Sequence, residues 1–257
     1  MGQLEGKVAV ITGGGRGIGK AIAQRYAAEG ATIVISSRTA SDLEGTLKEA
    51  GVGDDRGLAV VADAMDRDDA RRPVHEAIER FGRVDIVVNN VGGHTGGSPD
   101  PFKGNDNAFE QTLVLTLTSA WWTTTAALPS MRDQGGGRVI CIGSGASYRT
   151  GGSLPYTTAK HGLVGFVRQL AAATAAHGIN VNLLCPGTTQ TSLLDLDAIA
   201  ARSGKTAEEV EADLTADTLQ RRILDPSELG GMATLLAGPD GSGITGQVIS
   251  VDAGYKV

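Results

Sequence analysis

Cysteine is nearly absent from this 257-residue chain: there are two, Cys141 and Cys185. Both sit inside apolar runs and form no C-x-x-C pair, which argues against a disulfide scaffold and leaves no metal site expected. No apolar run reaches the roughly 18 residues that span a bilayer. The opening Met1-Gly2-Gln3-Leu4-Glu5-Gly6-Lys7 lacks the long apolar core of a secretory signal. Positive charge is in deficit as well. Net charge is −6 and the pI about 5.2, which argues against a nucleic-acid or anionic-membrane binder. A soluble, reducing, cytoplasmic setting is expected. With 41% hydrophobic and 20% charged residues, disorder is not the class either.

Glycine is the one abundance, at 37 residues, about twice the usual share of roughly 7%. It follows no period. Many of the glycines come just after apolar runs, where chains turn tightly or approach a ligand.

Those runs are Val8–Ile11, Thr32–Ile35, Leu58–Val61, Val84–Val88, Val139–Ile142, Val181–Leu184 and Val248–Val251. They are rich in Val and Ile without polar alternation, as strands buried on both faces are. Helical patterns lie between them. Ile18, Ile22 and Tyr26 share one face. Asp66–Phe81, Asn107–Arg132 and Pro155–Ala176 read similarly, and Asp225-Pro226-Ser227-Glu228 reads as a helix start. The alternation predicts a single α/β domain over 1–257. Its core would be a doubly wound, seven-stranded parallel sheet with helices on both faces. Gly92–Gly104 reads as a loop over a site, and 188–220 as a weakly helical lid over substrate.

The first strand ends in Thr12-Gly13-Gly14-Gly15-Arg16-Gly17-Ile18-Gly19, ahead of a helix. Gly13, Arg16, Gly17, Ile18 and Gly19 would let backbone N–H groups and the helix N-terminus meet a pyrophosphate. The spacing is G-x-x-x-G-x-G, not the strict G-x-G-x-x-G, and tight turns also use glycine for steric reasons alone. After the second strand an acid would take the ribose 2′-hydroxyl of NAD. Here stand Ser36-Ser37-Arg38. Ser37 and Arg38, with Arg16, favour the 2′-phosphate of NADP(H), with NAD(H) kept as the alternative. Asp63 follows the third strand and Asn90 and Gly92 the fourth. Asp63 reads as an adenine contact and Asn90 as a tie between strand ends or a ribose contact, and either reads equally as a turn residue bonding its own backbone.

Ser144 lies just past the fifth strand, and Tyr156 and Lys160 share a helix face four residues apart. An ordinary phenol, with a pKa near 10, is about 0.1% ionised at neutral pH. An ammonium about 4 Å away in a partly shielded site stabilises the phenolate by up to roughly 4 kcal/mol, which suits general acid–base work. Ser144 would hold the substrate oxygen, Tyr156 would pass the proton, and Lys160 could also reach the nicotinamide ribose.

With these residues in view, the chain from Lys7 to about Gly254 resembles the short-chain dehydrogenase/reductase family, and within it the 3-oxoacyl-ACP reductase-like members. Thr12–Gly19 resembles the family's TGxxxGIG loop, and Asn89-Asn90-Val91-Gly92 its NNAG element with Val91 in place of Ala. Ser144, Tyr156 and Lys160 fall at its catalytic serine, tyrosine and lysine. Pro186-Gly187-Thr188-Thr189-Gln190-Thr191 resembles its PG…T stretch, which places Pro186, Gly187, Thr189 and Thr191 against cofactor. The resemblance implies a Rossmann-like fold and a hydride transfer between a ketone and a secondary alcohol. It also implies a homotetramer or homodimer built on Asn107–Arg132 and Pro155–Ala176. One position departs: the family's usual relay asparagine falls on Thr116, whose hydroxyl can hold a water but is shorter and has one donor. That departure keeps open a non-catalytic dinucleotide sensor or scaffold. His94 reads either as a substrate or proton-transfer contact or as a solvated loop residue. Arg149 is a candidate for an anionic group, and Trp121 and Trp122 read as helix-interface packing. Beyond a small carbonyl or alcohol, nothing in the chain selects a substrate.

Overall fold

The computed structural model describes residues 2–96, 100–192 and 194–255, without the side chain of Pro101. Gly97–Pro99 of the expected loop and Leu193 of the expected lid lie outside them. Seven strands form one sheet: β1 (Val8–Thr12), β2 (Thr32–Ser37), β3 (Gly57–Val61), β4 (Ile86–Asn89), β5 (Gly137–Ile142), β6 (Ile179–Pro186) and β7 (Val248–Val251). Their order is 3-2-1-4-5-6-7, and every neighbouring pair is parallel. The order reverses between β1 and β4, so a crevice opens there at the carboxyl ends of the strands.

Alternate residues of each strand feed two cores. On one side Ala9, Ile11, Ile33 and Ile35 pack with Ile22 and Tyr26 of α1 (Gly17–Ala28), Leu43 of α2 (Ala40–Glu49) and Leu229 and Leu236 of α9 (Ser227–Ala237). The Tyr26 hydroxyl donates to Ala233 O at 2.9 Å and closes α1 on α9. On the other side Val8, Val10, Val139 and Cys141 pack with α3 (Arg67–Phe81), α5 (Ser119–Asp133) and α6 (Leu154–Thr174). Each fully buried Val, Leu or Ile contributes about 1.5–3 kcal/mol relative to exposure. That is why short Val/Ile runs suffice to fix the strands.

Asn107–Arg132 is not one regular helix. It divides into α4 (Asp106–Leu113), a π-helical turn over Val114–Thr118, and α5. The Ser119 N–H reaches back five residues to Val114 O, which inserts one extra residue and turns Thr116 inward. The segment 188–220 carries two short helices, α7 (Leu196–Ser203) and α8 (Ala207–Thr215). Asp195 caps the first, and Thr206 with Glu209 forms a capping box on the second. Bridges from Thr189 to Leu224 and from Thr218 to Tyr255 tie down its base.

Candidate active site

All the candidate residues lie at or beyond the carboxyl ends of strands, or on α6 and the π turn beside them. In the glycine loop, Gly17 takes φ 54°, a left-handed value that glycine tolerates and side chains rarely do. A Cβ at Gly19 would stand 2.3 Å from Gly13 O and 2.5 Å from Asn90 Nδ2, so the loop closes only around a bare Cα. Arg16, at the N-cap of α1, makes no side-chain cap bond, and the first turn carries no acid. The α1 amide dipoles are thus left for an anion. Thr191 approaches this turn, with Cβ and Cγ2 3.2 Å from where a Gly17 Cβ would be. These residues fit the phosphates of a dinucleotide: bare backbone, uncapped amides, a cation at the cap and a hydroxyl opposite. Ile18 packs against the α1/α9 core. Arg38 is exposed just past β2. Ser37 Oγ bonds the backbone of Thr39 and faces Gly15. A cavity lined by Thr12, Ser36, Ser37, Ala62 and Val91 adjoins this end.

Two open alternatives take structural form. Asn90 Nδ2 donates to Thr12 O at 3.0 Å and Gly13 O at 3.2 Å, so its amide ties β4 to the glycine loop. Asp63 accepts from Met65 N at 3.0 Å, a turn contact that engages one carboxylate oxygen. Beyond β6, Pro186 ends the strand, Gly187 N donates to Val251 O, and Thr189 Oγ1 donates to Gly187 O.

At the reacting end, Lys160 is 3% exposed. Its ammonium donates to Ile142 O at 2.7 Å and lies 5.6 Å from the centre of the Tyr156 ring. No carboxylate among the described residues pairs with it. A buried cation with one carbonyl and an aromatic ring as partners needs further acceptors, and a phenol and ribose hydroxyls supply that chemistry. Gly92 borders it: a Cβ there would meet Lys160 Nζ and Thr116 Cγ2 at 3.3 Å. Ser144 begins a 3₁₀ turn. Its Oγ accepts from Ala146 N at 3.2 Å, while its own N–H is held by Ser147 Oγ at 3.1 Å. The Ser144 hydroxyl proton is directed to no described residue.

Thr116 is 1% exposed. Its hydroxyl accepts from Gly93 N at 3.2 Å and donates to Gly93 O at 3.3 Å. The hydroxyl's one donor is therefore spent on the backbone of the loop after β4. Arg149 is exposed and sits over the Tyr148 ring at 5.7 Å. Trp121 meets Phe166 edge-on at 6.3 Å, and Arg67 sits 5.8 Å over Trp122. Both cysteines are free and buried, and burial pushes the Cys141 thiol up to about 12 and raises Cys185 as well, which leaves no thiolate nucleophile.

Three contributors escaped the sequence reading. Ser147 could have been found from the S-x-x-S spacing of a capping box. Ser153 bonds His94 instead of its own helix. The Tyr255 ring lies against Gly145, 2.7 Å from the place of a Cβ there, and no spacing announces a contact over a hundred residues away.

The short chain dehydrogenase family model matches residues 7–198. The chain is 37% identical to an uncharacterized oxidoreductase of Mycobacterium tuberculosis, over 99% of this chain and 94% of that one. It is 31% identical to a D-beta-hydroxybutyrate dehydrogenase of Cupriavidus necator, over 98% and 99% of the two chains. Among solved structures it is similar to a blue fluorescent protein from a metagenomic library in complex with NADPH. That match has a TM-score of 0.87 at 33% identity, covering 99% of this chain and 100% of that one. The protein belongs to the short-chain dehydrogenase/reductase family: it is an oxidoreductase acting on CH–OH groups with NAD(P).

Proposed function

We propose that the protein interconverts a ketone and a secondary alcohol with NADP(H), using Tyr156 as the acid and base. The observation that carries this reading is the buried, carboxylate-free Lys160 ammonium beside the Tyr156 ring, at the strand edge that also bears the glycine loop. The nicotinamide supplies or accepts the hydride when bound. Ser144 directs its hydroxyl at the substrate oxygen and Tyr156 gives that oxygen a proton as the carbonyl is reduced. Lys160 stabilises the phenolate left behind, and charge at the oxygen is spread over prepositioned donors. Arg38 and Arg16 supply the cations for a 2′-phosphate. The NADPH-bound neighbour and the relative named for β-hydroxybutyrate, a secondary alcohol, support both halves of the reading. Trp121, half exposed beside Phe166, supports self-association through α5 and α6.

The test is a panel of ketones and acyl thioesters with NADPH, followed at the cofactor's absorbance. Tyr156→Phe should lose roughly 10²–10⁴-fold in kcat and keep its affinity for NADPH. Full turnover in Tyr156→Phe overturns the assignment.

A further inference from the structure

His94 does not sit free in its loop. Its ring stacks on Tyr156 with centroids 4.5 Å apart and planes 24° from parallel. The residues on both sides of it are clamped to one helix face. Gly93 is held through N and O by the Thr116 hydroxyl. Thr95 is held by Thr112, whose Oγ1 accepts from Thr95 N at 3.4 Å and lies 2.9 Å from Thr95 Oγ1. Thr112 and Thr116 are one turn apart, so the loop is fastened at two points and His94 projects between them toward α6.

The far side is fastened too. His94 Nδ1 lies 2.9 Å from Ser153 Oγ. Ser153 is the N-cap of the 21-residue α6, yet its side chain makes no capping bond. Serine at that position ordinarily accepts from the helix amides. Here the hydroxyl turns to the imidazole instead, and the first turn that carries Tyr156 forgoes its cap. Partial burial lowers the His94 pKa from the ordinary histidine value.

We propose that His94 is a positioning residue for Tyr156: held by Thr112 and Thr116 through its neighbours and by Ser153 directly, it covers one face of the phenol and restricts the ring to one orientation. The proposal rests on Tyr156 being the proton donor of the reaction. A tyrosine has two rotatable angles, and one open ring face at a helix start leaves it free to swing. Proton transfer needs its oxygen within hydrogen-bond reach of the substrate oxygen. A ring held in place raises the fraction of encounters with that geometry, so its loss should fall on kcat and spare cofactor binding.

The chain carries four tyrosines. Labelled with 3-fluorotyrosine, it should give a Tyr156 fluorine resonance identified by its absence in Tyr156→Phe. In His94→Ala that resonance should move as the ring current of the imidazole is lost, while the others stay. With NADPH and ethyl acetoacetate as probe ketone, His94→Ala should lower kcat by roughly 3–10-fold, the range an aromatic pair is worth, with KM for NADPH unchanged. His94→Phe, which keeps a stacking ring but no hydrogen bond, should recover most of the loss. If His94→Ala does not fold, His94→Asn removes the stack with a polar side chain. An unmoved Tyr156 resonance, or His94→Phe no better than His94→Ala, overturns the proposal. Wild-type turnover in Tyr156→Phe overturns the proton-donor reading instead and leaves the fluorine result to decide the stack alone.

Discussion

Arg38→Asp is the sharpest perturbation of the proposed cofactor choice. Arg38 is exposed one residue past β2 and has no hydrogen-bond or ion-pair partner among the described residues. Its replacement should therefore cost the fold less than about 0.5 kcal/mol, and any change in binding belongs to the ligand. Hydrogen bonds from a guanidinium to a charged group are worth about 1.5–3 kcal/mol. At 1.4 kcal/mol per tenfold, losing them raises the NADPH Kd roughly 10–150-fold. The carboxylate adds repulsion of about 1 kcal/mol per unit charge at 4 Å in water, so at least a 50-fold loss is expected for the aspartate. NADH, with a ribose hydroxyl for the new carboxylate to accept from, should bind as well as before or better. Because the site is open to solvent, the wild-type preference should also shrink as salt rises and the screening length falls from about 10 Å at 0.1 M. Calorimetric titration of both nucleotides at two salt concentrations measures this. Equal NADPH affinity in wild type and Arg38→Asp would refute the reasoning and return the protein to NAD(H).

Gly19→Ala places a Cβ 2.3 Å from Gly13 O; the backbone must shift, at a cost of about 1–3 kcal/mol. Thermal melts should show a Tm lower by roughly 2–12 °C, and an unchanged melt would mean the loop has room to spare. Thr116→Val leaves Gly93 N and O without their hydroxyl. Turnover should fall about tenfold, by analogy with a lost hydrogen bond of about 1.5 kcal/mol, while NADPH affinity holds; an equal loss of both would point to general damage. The Glu228 carboxyl is lowered from 4.5 to about 2, first by its bond to Arg222 and then by the Asp225 N–H. A lowered folded pKa stabilises above the unfolded value and is lost as pH falls through the folded one. Glu228→Gln should therefore melt below wild type at pH 7, with the gap closing between about pH 4.5 and pH 2. A gap that persists at pH 2 would assign it to packing rather than charge.

What could be read from the chain was whatever repeats or concentrates locally. Val8–Ile11 and its six counterparts are apolar without alternation because both their faces are covered, and that signal needs no partner to be seen. Tyr156 and Lys160 are one turn apart on any helix. The π turn left no such trace: shifting one backbone bond, from Ser119 N to Val114 O, alters no periodicity in Asn107–Arg132. Asn90 admitted two readings because an amide can serve either backbone or ligand. Only the strand order, bringing β4 beside β1, sets its Nδ2 against Thr12 and Gly13.

By resemblance, Thr116 stands at the family's usual relay asparagine, where its hydroxyl would serve as a water ligand with a single donor. In the fold that hydroxyl faces the backbone of a loop 23 residues earlier. An N–H and a C=O there ask for one acceptor and one donor, which a single hydroxyl can be at once. The substitution is thus matched to the loop it fastens, and the loop in turn carries His94 onto Tyr156. On the proposal above, the phenol is held by short polar ties from Thr112 to Thr95 and from Thr116 of the π turn to Gly93, with His94 between them stacked on its ring. A change at any of them should be felt as a displaced phenol before it is felt as lost stability.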